Sequence, residues 1–526
     1  MERGTGHTRS GPVSRPDVIV VGAGASGAAL AARLSEDPGR TVLLLEAGAV
    51  PRHWTAFGAE LLDARLVPGA QPGHTAVRPY PVHLTPNRPY TVPRGRFLGG
   101  STTVNGGYFV RARRDDFDRW SAAGGVTWSY DRLLPLLRHL ENDLDYGPDD
   151  LHGDRGPVRV RRTDLRHPAA AAFQAAAREL GFPEEPDKNA QGAPGFGPVP
   201  SNAIDGLRVN TGISYLLDAL ERPNLTVAGN CPVHRVLIRR GRATGVIVEH
   251  DGEAATLEAG EVVLCAGSFA SPQLLHFSGI GPRADLERLG IPVVQDLPAI
   301  GARFSDHPQV VLEWMPRTIL DAPTDSWLGA GLHLSSSEGT YPGDLEILQS
   351  LAPIRGLAGG TPTLPGAPLA FLLSVQSPRT SGKLFTLSAD PSVLPRIEYG
   401  YLGTPEDRRR LREVVRTAAA LTATVAFDEI SLGLLEPGAE VLDDDHALDE
   451  WIASHLGTAH HTCGTVPMGP ADDSCAAVDQ CGRVHGLAGL RVADTSILPT
   501  APLRGSAATA VLIGELVAHA MRSELP

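Results

Sequence analysis

The most constraining feature of this chain is a glycine motif placed between an apolar run and a helix-forming run near its start. Asp17–Val21 is apolar and β-branched, which predicts a buried parallel strand, and Ala28–Leu34 carries helix-forming residues. Between them, Gly22, Gly24 and Gly27 give the G-x-G-x-x-G spacing. These glycines permit a tight turn, a close approach of a pyrophosphate to the backbone, and close packing of helix and strand. The motif predicts a Rossmann-like unit with the phosphates at the helix N-terminus.

A second apolar run supports this interpretation. Thr41–Leu45 predicts the next strand, which ends at Glu46. This carboxylate lies about 20 residues past the glycines, where it can accept hydrogen bonds from an adenosine ribose. A chance glycine-rich turn is the alternative, and the matching strand, helix and acid argue against it, although the motif fits FAD and NAD equally well. The contacts predicted for this unit are Gly22, Ala23, Gly24, Ala25, Ser26, Gly27, Glu46 and Ala47.

Length and charge narrow the class of protein. The chain has 526 residues, which predicts two or three lobes, and its formal net charge of -13 argues against a nucleic-acid partner. No apolar run reaches the length of a membrane span. Residues 1–15 are mostly polar and lack the apolar segment of a signal peptide, so we expect a disordered tail and a cytoplasmic protein. The five cysteines lack metal-ligand spacing, so we expect free thiols and no metal site.

Three further segments follow in order along the chain. They are PRGRFLGGSTTVNGGYFVR at Pro93–Arg111, CAGSFASPQLLHFSGIGP at Cys265–Pro282 and HHTCGTVPMGP at His460–Pro470. Together with the first motif they resemble the glucose–methanol–choline (GMC) family of FAD-dependent oxidoreductases over nearly the whole chain. The resemblance implies FAD as the cofactor and an enzyme that acts on the CH–OH group of donors.

The Pro93–Arg111 segment resembles the family's loop beside the isoalloxazine ring. Gly99 and Gly100 permit close approach to a cofactor, and Ser101 and Asn105 offer hydrogen bonds. In several family members the residue before this asparagine is a histidine bonded covalently to the flavin, and because it is Val104 here, we predict noncovalent FAD. The other cofactor contacts that the resemblance implies are Arg94, Gly106, Gly107, Tyr108, Val233, Ala266, Gly267, Asp494, Ser506 and Ala507.

The histidine pair near the C-terminus predicts the catalytic base. Oxidation of an alcohol needs a base for the hydroxyl proton and an acceptor for the hydride, and the resemblance places a histidine before a Gly-Thr pair close to flavin N5. The match in HTCGT is His461. Its neighbour His460 points elsewhere if the segment is extended. We expect Asp306 and His307, in a turn that the family shares, to be structural.

One position departs from the family pattern. Most members carry a second histidine or an asparagine shortly before the C-terminal helix, and here that position is Gly505. Either His461 acts alone, or Arg504 or Ser506 supplies the missing donor. An arginine there would stabilise a developing alkoxide. The predicted catalytic residues are therefore His461, Arg504 and Ser506.

The resemblance also implies the architecture. We predict an α/β (α+β) chain with a discontinuous Rossmann-like FAD-binding domain, residues 16–165, 205–310 and 462–526. An antiparallel-sheet cap, residues 166–204 and 311–461, would form the substrate-binding domain. Substrate identity depends on this cap, which carries few motifs.

Several functions stay open at this level. The main hypothesis is hydride transfer from an alcohol to flavin N5, and an oxygen-using alcohol oxidase is the first alternative. The C-terminal sequence is most similar to family members associated with the mycofactocin system, which implies a reduced redox cofactor as the possible donor and a respiratory, non-oxygen electron acceptor. A lyase or photoenzyme on the same fold, or a non-catalytic flavoprotein partner, are further alternatives. The oligomeric state is not visible in the sequence.

Overall fold

The computed structural model describes residues 15–250, 252–359 and 364–524. The predicted disordered tail therefore lies outside the described residues, apart from Arg15. Two sheets of different kinds organise the chain, one parallel and one antiparallel, and helices cover both. This is the predicted α/β (α+β) fold class.

The strands of the described residues are labelled in chain order. They are β1 Val18–Val21, β2 Val42–Leu45, β3 Val77–Thr85, β4 Arg88–Gly95, β5 Glu141–Asp143, β6 Val158–Arg162, β7 Phe196–Pro198, β8 Pro200–Ser201, β9 Ala203–Ile204, β10 Leu207–Arg208, β11 Leu225–Ala228, β12 Val233–Arg239, β13 Arg242–His250, β14 Glu253–Glu258, β15 Glu261–Leu264, β16 Ile280–Gly281, β17 Gln295–Asp296, β18 Pro308–Pro316, β19 Leu328–Leu334, β20 Leu345–Ser350, β21 Leu369–Val375, β22 Lys383–Phe385, β23 Arg396–Glu398, β24 Ser431–Leu434, β25 Gly457–Thr458 and β26 Leu490–Val492.

The α-helices of the same residues are α1 Ala25–Leu34, α2 Ala59–Leu62, α3 Arg114–Gly124, α4 Tyr130–Leu140, α5 Pro168–Glu179, α6 Gly267–Phe277, α7 Arg283–Arg288, α8 Ile354–Leu357, α9 Pro405–Thr422, α10 Val425–Asp428, α11 Ala439–Asp443, α12 Asp445–His455 and α13 Ala507–Ser523. No helix among the described residues combines the length and the apolar character needed to cross a bilayer.

The first sheet is parallel and has the order β11-β2-β1-β15-β26. All four residues of β1 and of β2 are buried, which explains why both strands appear in the sequence as short continuous apolar runs. Helix α1 follows β1 directly and packs against the C-terminal helix α13. The sheet therefore joins the start, the middle and the end of the chain.

The second sheet, named the cap sheet, is antiparallel with the order β24-β18-β21-β20-β19-β7, and β25 also pairs with β18. Its strands lie between Phe196 and Thr458. In β19, β20 and β21 nearly every residue is buried, because helices α5 and α9 pack beside these strands.

The hydrophobic side chains form two large clusters that follow the two sheets. The first surrounds the parallel sheet and includes β1, α1 and α13, and the second surrounds the cap sheet. The β3–β4 hairpin lies within the predicted FAD-binding segment 16–165, yet its buried residues Tyr80, Val82 and Leu84 belong to the second cluster. The hairpin packs there because β3 pairs with β23. The domain boundaries themselves stay a prediction.

Candidate active site

The first glycine motif forms a turn that excludes side chains. Gly22 has a φ of +102°, and a Cβ added there would lie 2.5 Å from the carbonyl oxygen of Cys265. A Cβ on Gly27 would lie 1.9 Å from the carbonyl oxygen of Gly22. The N-terminus of α1 follows, with Gly24 as N-cap and no side-chain cap. Its first N–H groups are therefore available to an anion.

Glu46 lies at the end of β2 beside this turn, as expected. Its Oε2 accepts a hydrogen bond from the backbone N–H of Ala23 and its Oε1 from that of Gly48, both at 2.9 Å. Burial raises the pKa of the Glu46 carboxyl, and these backbone bonds oppose the rise. The neighbouring Ala47 carbonyl accepts from Arg96 Nε at 3.1 Å.

Val233, predicted to contact the cofactor, is the first residue of β12. It lies two residues after Cys231, whose N–H donates to the Glu46 carbonyl at 2.9 Å. The structure therefore brings the chain just before Val233 to the end of β2. This is the side of the parallel sheet where the glycine turn and Glu46 lie.

The second glycine loop contacts the first one backbone to backbone. Gly100 has a φ of +54°, and a Cβ there would lie 2.6 Å from the Cα of Gly24. Gly99 also has a positive φ, +91°. Ser101 is exposed, and its hydroxyl accepts from the Gly95 N–H at 3.1 Å. Two motifs that are far apart in the sequence therefore form one surface.

The rest of this loop continues toward the cap sheet. Asn105 Oδ1 accepts from the Gly107 N–H at 3.0 Å, and the Gly106 carbonyl accepts from Trp327 Nε1 at 3.0 Å. Tyr108 is half-buried, and its hydroxyl donates to Glu346 Oε2 at 2.9 Å. The loop is thus fixed to the cap at both Gly106 and Tyr108.

Asp494 ties the third motif to the C-terminal segment. Its Oδ2 accepts from the Gly267 N–H at 2.8 Å and from the Ser271 hydroxyl at 2.6 Å, while Oδ1 accepts from the Ser496 N–H at 2.9 Å. Gly267 begins α6, directly after Ala266. Helix α13 begins with Ser506 as N-cap and Ala507 as its first residue, again with no side-chain cap.

These features fit FAD. The glycine turns leave backbone surface where a Cβ would collide, the N-terminus of α1 offers N–H groups to phosphates, and the buried carboxylate of Glu46 suits a ribose. Val104 is buried and its side chain is aliphatic, so it has no atom that could bond to a flavin. Noncovalent binding therefore stays our prediction, and acid precipitation of the holoprotein is expected to release all of the flavin into the supernatant. Flavin that remained with the pellet would contradict it.

His461 is held from two sides. Its backbone N–H donates to Asp306 Oδ1 at 2.8 Å, and its Nδ1 lies 3.0 Å from Nδ1 of His307. Its Nε2 faces Gly505, lying 3.7 Å from the point where a Cβ on that glycine would be. One ring nitrogen is therefore held by the protein, and the other faces the position at which the sequence departs from the family.

His460 points away from this arrangement. Its ring stacks on Tyr90 with centroids 6.2 Å apart, and its φ is +66°. Arg94, predicted to contact the cofactor, also binds the histidine segment: Nη1 donates to the His460 carbonyl at 2.9 Å and Nη2 to the Thr462 hydroxyl at 2.8 Å. Arg94 thus clamps the segment that carries His461.

The structure distinguishes the two candidates for a second polar group, Arg504 and Ser506, from Gly505 itself. Arg504 is fully buried and its Nη2 donates to Glu185 at 3.2 Å. Ser506 is half-buried at the N-terminus of α13. Gly505 itself, rather than either neighbour, faces the His461 ring.

Two residues near His461 have no role in the site predicted from the sequence. His307 belongs to the turn expected to be structural, yet its ring contacts the His461 ring edge to face with centroids 5.1 Å apart. The sequence signal for it is the Asp-His-Pro turn. Glu346 lies on β20, buried and hydrogen-bonded to Tyr108. No motif marks it, so sequence reasoning has no means of finding it.

Fold and site together define a flavin-dependent oxidoreductase with a dinucleotide-binding lobe and an antiparallel cap. The chain belongs to the GMC oxidoreductase family, whose N-terminal model matches residues 16–309 and whose C-terminal model matches residues 378–514. The predicted family, fold class, enzyme class and FAD cofactor are thereby confirmed.

Relatives and solved structures agree with this assignment. An uncharacterised GMC-type oxidoreductase of Rhodococcus erythropolis is 40% identical over 95% of this chain and 97% of its own length. An oxygen-dependent choline dehydrogenase of Rhizobium rhizogenes is 33% identical over 95% and 94%. The crystal structure of pyridoxine 4-oxidase from Mesorbium loti superposes with a TM-score of 0.90 at 28% identity, covering 97% of this chain and 100% of that one.

Proposed function

We propose that the protein oxidises the CH–OH group of an alcohol, with His461 as the general base for the hydroxyl proton. The observation that carries this proposal is the placement of His461, whose Nδ1 lies 3.0 Å from His307 while Nε2 faces the space beside Gly505. When bound, FAD supplies the acceptor for the hydride of the carbinol carbon.

The protonation of His461 suits this role. Burial lowers the pKa of His461, while the carboxylates of Asp306 and Glu346 oppose the fall, so the imidazole is neutral near pH 7. For Nε2 to accept a proton, the hydrogen between the two rings belongs to His461 Nδ1, and His307 Nδ1 accepts it. Burial lowers the pKa of His307 to about 3, so this second ring also stays neutral. The two carboxylates then stabilise the imidazolium that His461 becomes.

The relatives support an alcohol donor. The choline dehydrogenase and the pyridoxine 4-oxidase are named for substrates that carry hydroxyl groups. Because their identity to this chain is 33% and 28%, they support the donor class rather than a particular compound.

We propose the electron acceptor separately, as a non-oxygen acceptor in a mycofactocin-linked system. The support is the sequence similarity of LRVADTSILPTAPLRGSAATAVLIGE to such family members. An oxidase is the alternative, and the oxygen-dependent relatives favour it. Mixing the anaerobically reduced holoenzyme with air distinguishes the two. Reoxidation that is slow compared with turnover on an artificial acceptor supports the dehydrogenase, and rapid reoxidation with release of hydrogen peroxide supports the oxidase.

His461→Gln tests the base. In anaerobic mixing with a panel of alcohols and with reduced mycofactocin, the variant is expected to reduce its flavin about 10²- to 10⁴-fold more slowly than the wild type, because the proton has no acceptor. Flavin content and melting temperature should not change. His446→Gln, on a side chain that is 84% exposed, is the matched control. A variant that reduced its flavin at the wild-type rate would overturn the assignment of His461. Flavin that no donor reduces in the wild type would favour the lyase, photoenzyme or partner alternatives.

A further inference from the structure

Position 505 lacks a side chain for a steric reason. A Cβ added to Gly505 would lie 3.0 Å from Tyr108 Cδ1, 3.3 Å from Tyr108 Cε1 and 3.7 Å from His461 Nε2. Gly505 is buried, and its φ lies outside the left-handed region, so the backbone conformation does not require glycine. The edge of the Tyr108 ring occupies the space that a larger residue at 505 would need.

The Tyr108 ring is fixed in this place by the cap sheet. Its hydroxyl donates to Glu346 Oε2 at 2.9 Å and lies 3.3 Å from His333 Nε2. Glu346 and His333 are register partners on β20 and β19, and His333 Nε2 also lies 2.9 Å from Glu346 Oε2. The other Glu346 oxygen accepts from Gln376 Nε2 at 3.2 Å. Both carboxylate oxygens therefore accept hydrogen bonds from neighbouring side chains.

The neighbours of Gly505 do not compete with Tyr108 for this space. The Arg504 guanidinium donates to Glu185, and its Nη1 lies 3.6 Å from the Cβ position of Gly343 in a cap loop. Ser506 is the N-cap of α13. Tyr108 and His461 are thus the side chains nearest to the Cβ position of Gly505.

We propose that Tyr108 is a specificity-determining residue of this active site: its ring takes the place of a side chain at position 505 and bounds the alcohol pocket beside His461 Nε2. Glu346 and His333 are its positioning residues. The inference rests on the proposed oxidation of an alcohol with His461 as base. Because an aromatic ring edge lies next to the base, the pocket accepts unbranched primary alcohols and rejects secondary alcohols, whose extra carbon would meet the ring.

A double-substitution experiment tests the steric pairing. Wild type, Tyr108→Ala, Gly505→Asn and the combined variant are compared by melting temperature of the apoprotein and by anaerobic flavin reduction with a primary alcohol. Gly505→Asn alone should lower the melting temperature and slow reduction about 100-fold, because the new side chain displaces the ring. In the combined variant, the fall in melting temperature that Gly505→Asn causes should disappear. The combined variant should also reduce its flavin faster than either single variant. Effects of Gly505→Asn that are the same with and without the Tyr108 ring would overturn the pairing.

Selectivity tests the role in substrate choice. Tyr108→Ala should raise the use of secondary relative to primary alcohols by roughly tenfold in kcat/KM, since removing the ring opens the space beside the base. Tyr130→Phe, which removes a buried hydroxyl elsewhere, and Gly438→Ala, where a Cβ meets nothing within 4 Å, are the controls and should leave this ratio unchanged. An unchanged ratio in Tyr108→Ala would refute the inference. If no alcohol reduces the wild-type flavin, the proposed function fails instead, and the apoprotein melting temperatures still decide the pairing.

Discussion

Two buried histidines, His152 and His333, each lie between carboxylates, and they carry different charges. His152 Nδ1 lies 3.1 Å from Glu141 and 3.0 Å from Asp143. His333 lies 2.9 Å from Glu346 and 3.4 Å from Glu185. Both rings therefore lie within 3.4 Å of two carboxylates.

The pKa values of the two rings move in opposite directions. Burial alone would lower the pKa of His152, but its hydrogen bonds to Asp143, Asp187 and Glu141 outweigh burial and raise it to about 11. Burial also lowers the pKa of His333, and here the cations Arg504 and Lys188 add to the fall while the two glutamates oppose it. His152 is protonated at neutral pH and His333 is neutral.

The number of cations explains the difference. Around His152, the carboxylates of Glu141, Asp143 and Asp187 outnumber the guanidinium groups of Arg111 and Arg162, so the protonated ring supplies a third cation. Around His333, the cations Lys188, Arg504 and Arg113 already outnumber Glu185 and Glu346. The first cluster is a set of ion pairs that holds the chain segments together. The second leaves a neutral ring as hydrogen-bond partner of Tyr108, close to the active site. The local ratio of cations to carboxylates thus distinguishes a structural cluster from one that serves the site.

His152→Ala should have the largest effect on stability. It leaves Glu141, Asp143 and Asp187 with one cation fewer in a buried place, which should destabilise the fold by about 3–5 kcal/mol. Thermal and urea unfolding of the holoprotein would measure this, with the exposed His446→Ala as control. Flavin reduction at low temperature should remain close to the wild-type rate. An unchanged melting temperature would mean that the cluster does not hold the fold together.

Glu346→Gln should destabilise the fold less than His152→Ala does, and it should also change catalysis. The amide can still accept the Tyr108 hydrogen bond, but the negative charge that opposes the fall of the His461 pKa is lost. The acid limb of the kcat/KM profile should therefore move to lower pH, and the weaker base should slow flavin reduction by roughly tenfold, about 1.4 kcal/mol. Glu398→Gln on an exposed glutamate is the matched control. An acid limb that stayed in place, or moved to higher pH, would show that Glu346 does not act on His461.

The parallel sheet could be predicted from the sequence with little error, because a strand that is buried on both faces appears as an unbroken apolar run. The predicted strands Asp17–Val21 and Thr41–Leu45 each begin one residue later in the structure. Helix α6 begins at Gly267, where Asp494 accepts the first N–H. That hydrogen bond joins residues far apart in the chain, and no local pattern contains it.

The site was only partly predictable for the same reason. His461 followed from its motif, but its partner His307 is 154 positions away and Glu346 lies in the cap sheet, whose buried strands carry no motif. The reason for glycine at 505 is the Tyr108 ring, which belongs to a loop almost 400 residues earlier in the sequence. Such contacts depend on how the two lobes pack together, which composition and spacing do not specify.

The pH dependence of stability should also distinguish the His152 cluster from the His333 cluster. This effect should be smaller than the effects of His152→Ala and Glu346→Gln. The folded pKa of His152 is about 11 and its ordinary value is 6.5, so its stabilisation is complete below pH 6.5 and is lost as pH rises toward 11. Burial lowers the pKa of Lys188 from 10.5 to about 8; Glu185 opposes this fall and Arg504 adds to it. Because the folded pKa is the lower one, the stability associated with Lys188 increases as the pH rises from about 8 to 10.5. Between about pH 7 and 9.5, the difference in melting temperature between the wild type and His152→Gln should therefore shrink. Over the same range, the difference in melting temperature between the wild type and Lys188→Met should grow. Parallel trends in the two differences would show that the two clusters do not differ in their balance of charge.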